Sequence, residues 1–386
     1  MQVLERGCKK YHNIAKINEK LDNLYSASIF PRNYIRGEAQ ILGFAAEILD
    51  NEYAPDGTDI LSGAVEMIGE LLLNPLLDES GKAFNEGYVS SEKANLIDAI
   101  RAKINNKNSY AVFRCREEMC KDEAYGISET GKVEDVLPIT PASLYEYYCD
   151  ILSHSKIEIY YVGKCDERVL CDKLASLFAT LYRGPVREVQ TLVVRTVDSV
   201  KNIVEEQPVV QGKLCLGFRS GMTLRDKNFH VFAMLNEIYG GSVSSKLFKN
   251  VREKLSLCYY CYSIPESHKG VMIVTSGIEN ANREISEKEI LAQLDSIRTG
   301  DISEEEMENA RRSLENAYLE ITDSAASVES WYFSRSLAGR SESPAEFAKR
   351  LASVTREEII TAARGVVLDT VYFMLGTAKT GDEEDE

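Results

Sequence analysis

Four histidines in 386 residues are few, and His12, His154, His230 and His268 stand far apart. None heads an HxxEH, HExxH or HxxxH pattern, which excludes a helix that turns two imidazoles and a general base toward one zinc ion. Scattered singly, they read as polar surface or satisfied core residues. No apolar run approaches the roughly 20 residues that span a bilayer. No GxxxxGK[ST] or GxGxxG pattern follows a strand, so a phosphate loop is absent, and no Ser/His/Asp order can be argued from spacing. The nine cysteines, an odd number, come without a signal-peptide pattern or a second CxxC pair spaced for a metal. They read as reduced thiols of a cytoplasmic protein. Positive charge is also short: 45 basic residues against 61 acidic ones leave a net charge of -16. The basic residues are spread along the chain, which argues against nucleic acid and anionic membrane as partners and favours a basic substrate segment.

The length suits two ordinary domains, each with its own core. Apolar periodicity predicts helices over 13–26, 58–73, 83–106 and 110–120, and another over 138–155 opened by Thr140 and Pro141. A strand over 157–163 and a helix over 167–181 close a first lobe, 1–183. Within it, 34–48 reads as a strand that turns helical. Tyr145, Tyr147 and Tyr148, with Tyr160 and Tyr161, read as lobe packing. Residues 184–206, opened by Gly184 and Pro185, form the connector, with an extended piece over 191–195. The second lobe, 207–380, opens with a strand over 209–219 and a helix over 227–239. A strand over 270–277, helices over 286–298, 303–321, 324–338 and 344–352, and a helix and strand over 355–376 complete it. An acidic tail, 381–386, is expected to be disordered.

An internal repeat links the lobes. Residues 139–163 and 354–376 share a threonine cap, a helix and an apolar strand that ends in glycine, and 1–7 can be laid over 234–240. Two matches in one order favour duplication. The second lobe carries a strand and the first turns of a helix before its copy of the Met1 segment, so the first lobe is expected to lack its N-terminal strand.

The most informative stretch is 239–263, Tyr-Gly-Gly-Ser-Val-Ser-Ser-Lys-Leu-Phe-Lys-Asn-Val-Arg-Glu-Lys-Leu-Ser-Leu-Cys-Tyr-Tyr-Cys-Tyr-Ser. A helix should end at Gly240 and Gly241 through the left-handed conformation that glycine adopts without steric cost. Ser244 then caps a short amphipathic helix with Leu247, Phe248 and Val251 on one face. Arg252 at its end and Tyr259 at the start of a β-prone run can face the same space. On spacing alone, a surface arginine and a tyrosine at a sheet edge is the plainer reading. Cys258 and Cys261 have CxxC spacing but fall on the predicted strand, where packed or half-exposed thiols are a plainer reading than a redox or zinc site.

The order Gly240, Gly241, then Ser244, Ser245, Lys246, Leu247, Phe248, then Val251, Arg252, Glu253, Lys254, and finally Tyr259 resembles the C-terminal-lobe signature of the M16 (insulinase, mitochondrial processing peptidase) family. The resemblance implies an α+β fold of two homologous lobes, each a mainly antiparallel sheet backed by helices, facing each other across a chamber. It implies that Arg252 and Tyr259 bind substrate peptide, with Gly240, Gly241, Ser244 and Ser245 supporting the motif. The family's zinc motif, His-x-x-Glu-His, has no counterpart here. Glu92 matches the first of two glutamates on the following helix, but the ligand position seven residues on is Ala99, with Asp98 beside it as a solvated charge. The similarity therefore runs to the non-catalytic YmfF/YfmF-like members, found beside a zinc-bearing sister and connected with elongation factor P modification. It implies no catalytic residue, metal or cofactor in this chain, zinc only in a partner subunit, and a heterodimer or self-association. A peptide-binding scaffold without proteolysis, or a zinc peptidase whose start lies upstream, are the competing readings.

Overall fold

The computed structural model describes residues 1–378, so the acidic tail lies outside the described residues. Contacts divide the described residues into two units: Met1–Ile35, Ala39–Ala102 and Glu129–Gln190 form the first, and Arg36–Glu38, Lys103–Ser128 and residues 191–378 the second. The mixed α+β class is borne out.

The first unit is mostly helical because most of its segments carry a cap followed by an amphipathic run. Asn13 Oδ1 accepts from Lys16 N at 3.0 Å and starts Ile14–Asp22, whose Ile17 and Leu21 turn inward. Asp59 caps Ile60–Leu73, and Thr140 caps Pro141–His154. Leu24, Ile60, Met67 and Leu71 share a core, where Gly63 leaves room for Leu24. Tyr145 and Tyr148 pack around Phe84 with ring centroids 5.4 Å away in each case, as the packing reading of these tyrosines expects, whereas Tyr147 is exposed.

Two expectations for this part of the chain fail. Residues 34–48 do not turn helical: β1 (Ser28–Arg36) and β2 (Ala39–Glu47) pair as a hairpin, because Gly37 at φ +58° reverses the chain within two residues. Residues 157–163 are not a strand. Ile159 and Val162 are exposed, and among the described residues no strand pairs with the segment, so its apolar pattern lacks the ladder that makes a strand.

The second unit is built on a five-stranded sheet of β3 (Lys201–Gln207), β4 (Gly212–Arg219), β5 (Cys258–Glu266), β6 (Val271–Ile278) and β7 (Val367–Gly376), in the order β3-β7-β4-β6-β5. Only β3 and β7 run parallel; the other pairs are antiparallel. Strands β4 and β6 are buried along their whole length because helices cover both faces. On one face Leu214, Leu216, Phe218 and Val274 join Phe232, Leu235, Ile290 and Ile359 in the main core. On the other, Cys215, Ile273 and Tyr372 meet Ala111 and Cys115 of the Lys107–Met119 helix. That helix sits close because Gly217 has no side chain: a Cβ there would lie 2.7 Å from Met119 Sδ. Chain order placed this helix in the first lobe and β3 in the connector; contact places both in the second unit.

A buried charge cluster ties the second unit together. Arg219 Nε donates to Asp369 Oδ2 at 2.9 Å, and its Nη2 reaches Met119 O at 2.8 Å and Glu123 Oε1 at 2.7 Å. Lys269, with no exposed surface, pairs with Glu123 at 2.6 Å and with Glu38, and donates to Leu192 O. Glu38, Glu123 and Leu192 lie on the three stretches through which the chain enters this unit.

Candidate functional site

The stretch singled out in the sequence forms one continuous structure beside the sheet edge. The helix Phe229–Asn236 runs on into a widened π-helical turn, Glu237–Gly241. The helical run does end at the glycines, but for a different reason from the one expected. Neither glycine adopts a left-handed φ. A Cβ on Gly240 would lie 2.7 Å from Leu247 Cδ1 and 2.9 Å from the Ser263 backbone nitrogen, and one on Gly241 would lie 2.6 Å from Glu237 Oε2. Glycine is required by close approach. The cap also differs: Ser245, which is buried, accepts from Phe248 N at 3.4 Å, while Ser244 shares a 3.0 Å hydrogen bond with Ser242. Lys246 is buried too and pairs with Glu306 at 3.0 Å.

The second π-helical segment, Leu247–Lys254, buries Leu247 and Val251 and is held laterally by Asn250 Nδ2 donating to Gln293 Oε1 at 2.6 Å. Its opposite side presents Arg252 to solvent, with the guanidinium 4.6 Å from the Phe248 ring centroid. Ser256 at φ +51° turns the chain, and Leu257 N donates back to Val251 O at 3.1 Å, so strand β5 starts directly beneath this segment.

Strand β5 is an edge strand, paired only with β6 among the described residues. A bulge interrupts the pairing: Cys258 opposes Ile278 and Tyr260 opposes Gly277, which leaves Tyr259 without a cross-strand partner. Tyr259 stands out of the sheet, 62% exposed. Tyr260 instead lies across Gly277 and donates its hydroxyl to Asn108 Oδ1 at 2.8 Å. Arg252 and Tyr259 are therefore on abutting elements, both turned to solvent. Among the described residues, neither is engaged in an ion pair or a side-chain hydrogen bond. The charge of Arg252 is felt at the Cys258 thiol, next to Tyr259 in the chain.

Residues 138–314 match the family model described as the peptidase M16 inactive domain. The probable inactive metalloprotease YmfF of Bacillus subtilis (strain 168) is 34% identical over 376 residues, covering 97% of this chain and 87% of that protein. The chain belongs to the M16 peptidase family. The uncharacterized zinc protease YmxG of the same organism is 22% identical, covering 88% of this chain and 81% of that protein. The crystal structure of a conserved protein from Enterococcus faecalis V583 superposes with a TM-score of 0.90 at 26% identity, covering 98% of this chain and 89% of that one. The M16 resemblance of residues 239–263 is borne out, and its non-catalytic, YmfF-like side with it.

The residues present do not fit the M16 zinc ion. Glu92 receives Arg6 Nε at 2.6 Å, Ala99 offers no donor atom, and Asp98 is a solvated carboxylate 4.0 Å from Arg101. Three of the four imidazoles are engaged elsewhere: His154 Nδ1 contacts Asp150 O at 3.0 Å, His230 Nδ1 contacts Arg350 at 2.9 Å, and His268 Nε2 contacts Ser334 Oγ at 2.8 Å. Burial, aided by nearby arginines, pushes His268 down to about 4, so its ring is neutral at physiological pH. Among the described residues no three His, Cys, Asp or Glu side chains converge as metal ligands, and no helix is long and apolar enough to cross a membrane.

Proposed function

We propose that this inactive M16 chain is the substrate-holding subunit of a peptidase pair. It grips a peptide with Arg252 and Tyr259 while a zinc-bearing M16 sister supplies the metal and general base. The observation that carries this reading is the outward placement, on two abutting elements, of a guanidinium held only over the Phe248 ring and a phenol that a bulge frees from the ladder. A guanidinium offers two parallel donors to a carboxylate, or separate donors to backbone carbonyls, and the phenol adds another. The net charge of -16 favours peptides with basic side chains. Pairing is supported by the match of this chain to both an inactive metalloprotease and a zinc protease of one organism. None of the nine cysteines is in a disulfide, which suits a cytoplasmic subunit. Elongation factor P modification is the process that the resemblance adds to this reading.

Arg252→Lys and Tyr259→Phe should each weaken binding of a labelled basic peptide by about 1–3 kcal/mol, and the double mutant by less than the sum, because both grip one ligand. Unfolding midpoints should not move, since neither change removes core volume. Fluorescence anisotropy of the peptide, with the chain alone and mixed with a zinc-bearing M16 protein, reads the affinity, and urea titration reads the midpoint. Wild-type affinity in the double mutant would return both residues to ordinary surface roles. Failure of the two proteins to cosediment would remove the pairing and leave self-association or a lone scaffold.

A further inference from the structure

The β5 bulge does more than expose Tyr259. On a regular strand, residues three apart point to opposite faces, so a CxxC pair cannot meet. Here Cys258 opposes Ile278 and Cys261 opposes Ser276, so the three-residue step on β5 spans only two residues of β6. Cross-strand partners share a face, and Ile278 and Ser276, two apart on β6, point the same way. Cys258 and Cys261 therefore also share a face. Two strand residues rise about 6.6 Å, at the upper end of the Cα separations of about 4.4–6.8 Å that a disulfide bridges. Cys258 is half-buried and retains surface that a small oxidant can reach, whereas Cys261 is buried.

We propose that Cys258 and Cys261 form a reversible dithiol–disulfide site oxidised by peroxides, with Cys258 as the attacking thiol and Cys261 as the resolving one. The electrostatics agree with this order. A hydrogen bond from Cys261, opposed by burial and aided by Ser276 and the Arg252 charge, lowers the Cys258 thiol to about 7. The same shared proton, together with burial, raises Cys261. The Cys258 thiolate attacks one oxygen of the peroxide and breaks the O–O bond; the leaving hydroxide takes a proton and departs as water, and Cys258 becomes a sulfenic acid. Cys261 sulfur then attacks Cys258 Sγ, the S–O bond breaks, and the hydroxide leaves as a second water with the Cys261 proton. Two electrons pass from the two sulfurs to the peroxide, and two equivalents of a low-molecular-weight thiol return the pair to the dithiol by exchange, leaving as their own disulfide. Such transient disulfides are the kind that reducing compartments allow. This chemistry is independent of whether Arg252 and Tyr259 hold peptide.

The test treats the folded full chain with hydrogen peroxide, blocks remaining thiols by alkylation and maps each cysteine by mass spectrometry. Exposed Cys165 and Cys171 serve as internal controls. A 258–261 disulfide removable by dithiothreitol is expected, with Cys258 reacting about tenfold faster than the controls because more of it is thiolate near neutral pH. In Cys261→Ala, a sulfenic acid trapped at Cys258 by dimedone should replace the disulfide; in Cys258→Ser, Cys261 should stay reduced. Oxidation of Cys258 no faster than the controls, or absence of the linked peptide from oxidised wild-type protein, would overturn the proposal.

Discussion

Replacing Lys269 by methionine is expected to cost about 3–5 kcal/mol of stability, the range for removing one partner of a buried ion pair. Methionine fills much of the same volume but leaves two carboxylates in a buried site, with Arg219 the cation that remains on Glu123 and the Leu192 N–H the donor that remains on Glu38 among the described residues. Leu192 O loses its donor as well. Because those three contacts lie on separate chain entries, the loss should appear as one cooperative shift of the urea midpoint of the second unit. The penalty should also depend on pH. Burial pushes the Glu123 carboxyl up, but contacts with Arg219 and Lys269 outweigh it and hold the group below its ordinary value of 4.5. A carboxylate lowered in the folded state contributes stability that is present above its unfolded value and lost as pH falls. The gap between wild type and Lys269→Met should therefore be full at neutral pH and narrow below about pH 5. A gap that stays constant through that range would show that Lys269 acts through packing rather than charge.

Leu247→Ala should cost about 2–5 kcal/mol, because the side chain is fully buried between the Gly240 turn and the main core, and its removal leaves a cavity. The segment that presents Arg252 rests on Leu247 and Val251, so amide exchange over residues 247–254 should quicken more than elsewhere. Gly240→Ala offers the complementary probe. Its added methyl meets Leu247 Cδ1 and the Ser263 backbone, at a cost of about 1–3 kcal/mol in the wild type. In the Leu247→Ala background the first clash disappears while the second remains, so the two changes should be less than additive in urea titrations. Strict additivity would mean that the turn and the helical segment do not press on each other as described.

The helices were legible in the sequence because their determinants are local. Asn13, Thr140, Ser303, Ser343 and Thr355 each accept a hydrogen bond from a backbone nitrogen three residues on, within the reach of a sequence pattern. Strands β4, β6 and β7 announced themselves by apolar content, since helices cover the central strands and leave few polar positions. The family was legible in the spacing from Gly240 to Tyr259. What escaped the sequence depends on partners distant in the chain. Lys201–Gln207 is mostly polar and poorly periodic, like a connector, and becomes β3 through its parallel register with residues 370–376. Residues 157–163 have a strand's composition and, among the described residues, no strand to pair with. Glycines 240 and 241 looked like φ-driven stops, yet the constraint is the nearness of Leu247, Ser263 and Glu237 in space. Cys258 and Cys261 looked like packed or half-exposed thiols on a strand; one extra residue in β5, visible only against its register with β6, turns them to the same side. Capping and periodicity act over a few neighbouring residues, so the sequence determined them. Pairing register and close approach are set by chain segments up to hundreds of residues apart, and only tertiary structure decides which of them meet.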